Sequence, residues 1–552
     1  MGGQMFEVGS KLGSLRQVTL SLDGLWMLVD KDKMLATAFL VGFLAWAAMI
    51  LGKFILEGIQ RRNLPPGPWA WPIVGSLFSL GPLPYKTLRV LAKKHGELMY
   101  LRLGSIQSVV VSSASMAKEV VTNHDLQFAY RPTKLFGKLL FNSKDIVHAS
   151  NGPAWRHLRM ICTSQFFTKK RLASYEATRT FEIHTLMKDI LRKSSSEDCV
   201  VNLPFQLRNT STNFISQMVF NKRLFVEGEE SNVEDAKRYQ KILKIHFSSY
   251  AIFVVSDYIP CLRFITKLQG IRGKFQQIAD KIHKKMDEII DINGHERRRI
   301  DANHKQDADR KKDFVDLLLE TTSHDGKGTL DHETVRGVVM DMLFAGAETQ
   351  SSTLEWAMAF LIRNPGVMKQ VQAELDGVVG TERVVQESDL EKLPYLEAVV
   401  KEVMRVKPGA PIGINHESRE PRQVAGHYLP AKTRLIFNIH AIHRDPSVYD
   451  RPDEFDPTRF LSPGKGNVPT GQELFQLMPY GAGRRICPGM PLAIVNIPHV
   501  LAHLVHSFDW SLPAGQDHRE LDMTEKFDGV TSPRLHPLHL IPHPRKPAFL
   551  YK

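Results

Sequence analysis

Cys487 lies in the run Tyr480-Gly481-Ala482-Gly483-Arg484-Arg485-Ile486-Cys487-Pro488-Gly489, where one sulfur is framed by glycines, arginines and a Pro-Gly turn. Thiolate is the metal-binding form of cysteine, and nearby cations, backbone N–H groups or the metal itself hold it deprotonated. Gly483 and Gly489 carry no β-carbon, so the chain can turn tightly and approach a ligand there, and Arg485 adds positive charge. The nearest other cysteine in sequence is Cys261. Zinc ribbons and iron–sulfur clusters need further cysteines at short spacing, so a one-thiolate site points to haem iron. A lone cysteine taken by itself is more often a small buried hydrophobe; the residues around it favour the metal.

Phe344-Ala345-Gly346-Ala347-Glu348-Thr349 sets small residues beside an acid and a hydroxyl. Glycine inside a helix costs about 1 kcal/mol against alanine, so Gly346 asks for a reason. Either a ligand lies against Ala345 and Gly346, or another helix does. A threonine hydroxyl can bend the local hydrogen-bond ladder, and beside a carboxylate it can relay protons through water. Lys401-Glu402-Val403-Met404-Arg405 places an acid and a base three apart, on one helical face. That spacing alone fits a solvated surface pair. Trp155-Arg156-His157-Leu158-Arg159 likewise pairs an indole and a cation on one face, an ordinary arrangement in isolation.

The elements that must position these groups read as mostly helical. No proline occurs from Asp331 to Asn364 and Pro365 closes the run, which predicts one helix about 50 Å long with Glu348 and Thr349 at its centre. Glu97 to Ser113 alternates and then turns β-branched around Gly104-Ser105, a hairpin pattern. Asn293 to Lys312 is charge-rich and nearly without apolar residues, as in an exposed loop or a fraying helix end. The 552 residues, 43% hydrophobic and 24% charged, suffice for a large core. Cys162, Cys199, Cys261 and Cys487 form no disulfide framework, which implies a reducing compartment.

The net charge of +13 could suggest nucleic acid, but basic and acidic residues interleave and no nucleic-acid-binding motif occurs. The charge reads instead as attraction to anionic lipid and to an acidic protein partner. Residues 34–52, MLATAFLVGFLAWAAMILG, are uncharged throughout and would span about 28 Å as a helix, enough for one membrane crossing. Lys53, Arg61 and Arg62 follow it against Glu57 alone, whereas charges before it balance; the body is therefore expected on the cytosolic side. A cleaved signal peptide is disfavoured because the apolar run is long and starts far from Met1. Leu64-Pro65-Pro66-Gly67-Pro68 fixes φ repeatedly and reads as a stiff extended spacer. The expected organisation is a lumenal extension over 1–33, an anchor over 34–52, a basic and proline-rich hinge over 53–75 and a catalytic domain over 76–552.

The Cys487 loop resembles the haem-binding loop of the cytochrome P450 family, F-x-x-G-x-R-x-C-x-G, in the version of microsomal plant enzymes. Gly483, Arg485, Cys487 and Gly489 match, while Tyr480 replaces phenylalanine and brings a hydroxyl that needs a partner. The long helix resembles the family's A-G-x-D/E-T motif at Ala345, Gly346, Glu348 and Thr349, with Gln350 in place of the following threonine or serine. Glu402 and Arg405 match E-x-x-R. Pro457-Thr458-Arg459-Phe460 is similar to P-E-R-F, with Thr458 for glutamate. The matches run in family order from the Pro65 hinge to the C-terminal segment.

The resemblance implies a mainly α fold with small β-sheets, the cytochrome P450 fold, preceded by one transmembrane helix. Haem b would have Cys487 as axial ligand and Tyr480 under the ring. Trp155, Arg159 and Arg485 would hold the propionates, Glu348 and Thr349 would handle protons, and Glu402, Arg405 and Arg459 would form a buried supporting network. The implied activity is an NADPH-dependent monooxygenase that inserts one atom of O2 into a small, largely apolar organic substrate, such as a phenolic or fatty-acid derivative. No nicotinamide or flavin fingerprint occurs, so electrons are expected from NADPH–cytochrome P450 reductase at the endoplasmic reticulum membrane. Two other chemistries share a thiolate-bound haem: a reductase-independent isomerase or dehydratase, and a membrane haem sensor without turnover. Retention of Thr349 and the anchor weigh against the first.

Overall fold

A computed structural model describes residues 35–45, 48, 52, 63–197, 199–225, 230–291, 294–295, 312–461, 473–513 and 516–551. The chain divides into two compact units, Met1–Leu64 and Pro65–Lys552. In the first, residues 35–45 are helical and exposed. Among the described residues no helix is long and apolar enough to cross a membrane. Residues 48 and 52 are the other described members of the expected 34–52 span; its remaining positions, and nearly all of the charge-rich run 293–312, lie outside the described residues.

The second unit is mainly helical with three small sheets. Pro84 at the first turn starts α1 (Pro84–His95). Leu98–Leu103 (β1) and Ile106–Val111 (β2) form the expected antiparallel hairpin, with Leu101 facing Ser108. Further along are α2 (Pro153–Ile161), α3 (Glu176–Ser194), β3 (Val201–Asn202), α4 (Leu203–Phe220) and α5 (Glu230–Ser249). The long helix, α6, covers His332–Arg363; Asp331 caps it by accepting from the Thr334 N–H at 2.8 Å, and Asn364 ends it before Pro365. After α7 (Pro394–Val406) come β4 (His416–Glu417), β5 (Arg422–Val424), β6 (His427–Leu429) and β7 (Arg434–Phe437). Helix α8 (Met490–Ser507) precedes β8 (Phe508–Ser511) and β9 (His539–Pro544). The sheets run β1-β2-β7-β4, β3-β9-β8 and β5-β6, and β2 pairs with β7 in parallel, Val109 against Leu435.

The proline-rich segment is not a free-standing spacer. The Tyr100 N–H donates to the Pro66 carbonyl at 2.8 Å and the Ser76 N–H to the Arg102 carbonyl at 2.6 Å, so residues 65–76 lie along β1. Prolines cannot donate to a ladder but their carbonyls can accept.

Helix α6 is buried nearly all round, as a helix at the centre of a large core must be. It passes through two hydrophobic cores. Residues Val335 to Phe344 belong to one, with α4, α5 and the Ile271–Ile290 helix; Leu354 to Ile362 belong to the other, with α3, α7 and α8. The small and polar stretch from Ala345 to Thr353 lies between them, outside both apolar clusters. The packing thus leaves the chemistry-bearing turn of α6 in the gap between two rigid bodies of side chains.

Candidate haem-thiolate site

Cys487 ends a tight loop that feeds α8. Gly483 adopts φ +72°, and a β-carbon there would fall 2.5 Å from Asp125 Oδ1. The same carboxylate accepts the Arg484 N–H at 2.9 Å. Only glycine satisfies both the left-handed backbone and the close approach. The Cys487 N–H donates to the Tyr480 carbonyl at 2.9 Å, which closes the loop. The sulfur is exposed, yet protein encloses it enough for burial to raise its thiol pKa, an effect opposed by N–H groups of Gly489 and Met490 and by Arg159. The two observations agree if the sulfur faces an internal cleft. Because Met490 opens α8, the sulfur sits at a helix N-terminus, whose partial positive charge favours thiolate.

Tyr480 is half-buried and its hydroxyl finds a weak acceptor in Met404 Sδ at 3.6 Å. Burial, with the Cys487 sulfur next, raises its phenol above the usual range.

Arg485 lies flat on the Trp155 indole, 3.8 Å from the ring centroid. Its guanidinium donates to the carbonyls of Ala129 (2.8 Å) and Ala149 (2.7 Å). The Trp155 N–H donates to the Ile146 carbonyl at 3.2 Å. In this arrangement the Trp155 indole also forms the platform for Arg485. Burial lowers the Arg485 pKa, and Arg131 and Arg159 add repulsion. The Arg159 guanidinium makes no hydrogen bond or ion pair among the described residues and feels mainly burial and the sulfur of Cys487. Arg131 donates to the Ile414 and Asn415 carbonyls at 2.6 and 2.8 Å. His416 donates from Nδ1 to Phe128 O at 3.0 Å, and burial with two neighbouring arginines holds it neutral, well below its ordinary pKa. Three desolvated guanidinium groups in mutual repulsion suit an anionic ligand with several carboxylates, which is what haem propionates provide. Sequence spacing could not single out Arg131 and His416 for this cluster, since each reaches it only through the tertiary fold.

On α6, Ala345 is exposed although its neighbours are buried, and Thr349, one turn on, is half-buried on the same face. The Thr349 hydroxyl donates to the Ala345 carbonyl at 2.7 Å. At Gly346 a β-carbon would lie 2.4 Å from Ile215 Cδ1, so its smallness admits α4. Glu348 also turns to α4, where Arg208 holds both its oxygens, at 2.7 Å (Nε) and 3.3 Å (Nη2). Arg208 in turn donates to Gln240 of α5 at 3.1 Å. The acid and the hydroxyl are thus neighbours in sequence without bonding each other. Gln350 points the other way and accepts from Asn496 of α8, a hydrogen bond tying α6 to the helix that begins beside Cys487.

The supporting network is buried. Arg405 donates to Glu402 at 2.7 and 2.8 Å, and both side chains are fully shielded. Three carbonyls, of His443 (2.9 Å), Pro452 (2.6 Å) and Glu454 (2.8 Å), take its remaining donors. Arg459 approaches Glu402 at 3.5 Å and donates to the Arg451 carbonyl at 2.9 Å. Thr458 does not enter it; its hydroxyl donates to Asp456 at 2.5 Å, capping the short turn that carries Arg459.

Comparisons with known proteins converge on this geometry. Residues 65–539 match the family model for cytochrome P450. A flavonoid 3'-monooxygenase of Crocosmia x crocosmiiflora is 35% identical over 91% of this chain and 98% of its own length. Premnaspirodiene oxygenase of Hyoscyamus muticus is 35% identical over 90% of this chain and 96% of its own. Among solved structures, a zebra fish cytochrome P450 with abiraterone superposes with a TM-score of 0.65 at 25% identity, covering 84% of this chain and all of that one. Fold, sulfur and relatives agree: the chain belongs to the cytochrome P450 family, in its plant type, as a haem-thiolate oxidoreductase with haem b as its cofactor.

Proposed function

We propose that this protein is an NADPH-dependent monooxygenase of the endoplasmic reticulum membrane that hydroxylates a small, largely apolar substrate bearing a phenolic or similar polar group. Haem held by Cys487 supplies the oxygen activation. Arg159, Arg485 and Arg131 would anchor its propionates, Ala345 would leave room for it, and Thr349 would manage protons, with Glu348 reaching them only by leaving Arg208.

The observation that carries the substrate class is a polar chain beside Phe344 of α6. Asp145 bonds His148 Nδ1 at 2.5 Å, and His148 Nε2 meets the Tyr250 hydroxyl at 2.9 Å. His246 stands 5.1 Å from the Phe344 ring and 5.2 Å from that of Tyr250. Burial holds His246 neutral, near a pKa of about 3. Donors and acceptors so placed among Phe136, Phe344 and Phe275 are of the kind that would recognise one hydroxyl on an otherwise apolar ligand. The flavonoid-hydroxylating relatives are consistent with this class.

A separate reductase is supported by the absence of a nicotinamide or flavin fingerprint in the sequence and by exposed basic residues near the thiolate loop. The Arg484 side chain is 54% exposed three residues before Cys487, and Lys169 and Lys170 are exposed after Phe167, whose ring lies near Gly489. An acidic flavoprotein surface complements them. Anchoring by residues 34–52 belongs to the same proposal.

The test is reconstitution with a plant NADPH–cytochrome P450 reductase and a panel of flavonoids, sesquiterpenes and fatty acids. NADPH-dependent monohydroxylation of phenolic substrates is expected, with phenolics giving the tightest spectral titrations. Product formation without NADPH, or equal binding of apolar, carboxylated and phenolic compounds, would refute it.

A further inference from the structure

A cleft of about 570 Å³ opens between α1, the C-terminal ends of α6 and α7, and the segments around 440–455 and 523–525. It shares no residue with the Cys487 loop, the Arg159 cluster or the Ala345–Thr349 face of α6. Its charge is unbalanced in a specific way. Glu525, 3% exposed, is the carboxylate for two lysines: Lys86 of α1 at 2.5 Å and Lys407, at the end of α7. Asp453 is likewise shared by two arginines, Arg89 of α1 at 2.7 Å and Arg444 at 3.2 Å. Four cations therefore meet two carboxylates, an excess of two positive charges before Lys93 and Arg363 of the same lining are counted.

These cations are costly where they stand. Burial lowers the Lys407 pKa to about 7, with Lys86 and Arg444 adding repulsion, and the Lys407 ammonium sits 4.2 Å from the face of Trp356. Arg444, 6% exposed, is lowered by burial and by Arg405 and Arg89. Burying like charges together is favourable only when an anion joins them. The donor inventory says where that anion would bind. The guanidinium groups are occupied, Arg89 bidentate on Asp453 and Arg444 on His440, the Val406 carbonyl and Asp453. Each ammonium has three N–H bonds, and Lys86 and Lys407 each meet one oxygen of Glu525. The lysines keep donors for a compact, multiply charged acceptor. Val90, Val406, Met523, Phe360 and Phe455 supply the apolar part of the wall, with Phe360 stacked on Phe455 at 4.4 Å.

We propose that this cleft is a second ligand site, separate from the haem pocket, that binds a phosphate monoester carrying an apolar group: the phosphate on Lys86 and Lys407, the apolar part along Phe360 and Phe455. A dianion matches the excess charge of the four cations, and the volume falls within the range of small-molecule sites, about 300–1,000 Å³. The ester could be a soluble metabolite or the headgroup of a bilayer phospholipid, since both present the same group.

The experiment uses the full-length holoprotein in phosphatidylcholine nanodiscs and titrates phenyl phosphate, inorganic phosphate and phenol by calorimetry at constant ionic strength. Saturable one-to-one binding of phenyl phosphate is expected, tighter than either fragment, and weakened at least tenfold in Lys86→Gln. The reduced, carbon monoxide-bound spectrum of that variant should equal the wild type, showing the haem site intact. Repeating the titration in nanodiscs containing phosphatidic acid identifies the source: a headgroup ligand abolishes phenyl phosphate binding there, and a soluble ligand leaves it unchanged, either result upholding the site. No saturable binding to the wild type, or equal affinity in wild type and variant, overturns the proposal.

Discussion

Replacing Arg405 by methionine tests the buried network most directly. The substitution keeps most of the aliphatic volume and removes five N–H donors at once. Glu402, with no exposed surface, would keep the Asp456 N–H at 2.8 Å and Arg459 at 3.5 Å. Breaking a buried pair by deleting one partner costs about 3–5 kcal/mol, and because Arg459 still screens Glu402 the lower end applies. The carbonyls of His443, Pro452 and Glu454 lose their donor as well, at about 1 kcal/mol each or more. The total, about 6 kcal/mol, rivals the whole stability of a typical domain, about 5–15 kcal/mol. Arg405→Met should therefore lose haem and unfold at markedly lower urea. Glu402→Gln/Arg405→Met removes the orphaned buried carboxylate and leaves Arg459 on the Arg451 carbonyl, so it should recover about 2 kcal/mol of that loss. Haem content per protein and urea unfolding, followed by circular dichroism, measure both. The reasoning fails if Arg405→Met lies within about 1 kcal/mol of wild type, or if the double variant is less stable than the single one.

Removing the Thr349 hydroxyl by Thr349→Ala should cut hydroxylated product about 100-fold, the low end for a positioned proton-transfer group, while NADPH oxidation falls far less; equal losses of both would contradict a proton role. Gly483→Ala must adopt φ +72° with its β-carbon 2.5 Å from Asp125 Oδ1; the backbone alone costs about 1–2 kcal/mol, so a drop of at least that size is expected in urea unfolding, and a neutral result would refute the packing argument. Acid should destabilise the fold through buried imidazoles. His499 and His443, both 0% exposed, are held by burial at pKa values of about 4 and about 3. The unfolded chain binds protons below its pKa of about 6.5 while these folded sites do not, so stability present above that pH is lost at about 1.4 kcal/mol per pH unit per histidine as pH falls toward the folded values. Unfolding free energies between pH 7 and pH 5 check this, and a flat profile would refute it.

Features set by local chemistry were legible in the sequence. The ends of α6 follow from the Asp331 cap and Pro365, and the β1–β2 hairpin from alternation around Gly104-Ser105. The Cys487 loop was readable because its glycines and sulfur act within ten residues. What could not be read depends on partners distant in the chain. Gly346 invites a ligand on sequence, and the structure fills its space with Ile215 of α4. Glu348 reads as the partner of Thr349, and a salt bridge to Arg208, 140 residues away, takes it. Nothing near Trp155 announces that Ile146 will accept its N–H and Arg485 will cover its face. Helical periodicity tells which face a residue occupies and is silent on what the fold brings to that face.

The two departures from the family pattern on α6 and the thiolate loop acquire a physical sense from these contacts. Gln350, where threonine or serine is usual, reaches past the polar gap of α6 and accepts from Asn496 on α8, whose first residue donates toward the Cys487 sulfur. A threonine is too short to make that bond. Tyr480, where phenylalanine is usual, places its hydroxyl on Met404, the residue before Arg405 in α7. Each substitution adds one polar contact between the loop-bearing half of the site and a helix that was already packed against it. The Gln350–Asn496 contact is buried, so each amide needs its partner, whereas the Tyr480–Met404 contact is only part-buried. Gln350→Thr should consequently leave the Asn496 amide unsatisfied and loosen the α6–α8 contact, whereas Tyr480→Phe removes only a weak sulfur bond. Greater loss of haem retention on heating in the first variant than in the second is the expected order, and the reverse order would show that the ring hydroxyl, not the inter-helix amide, steadies the thiolate loop.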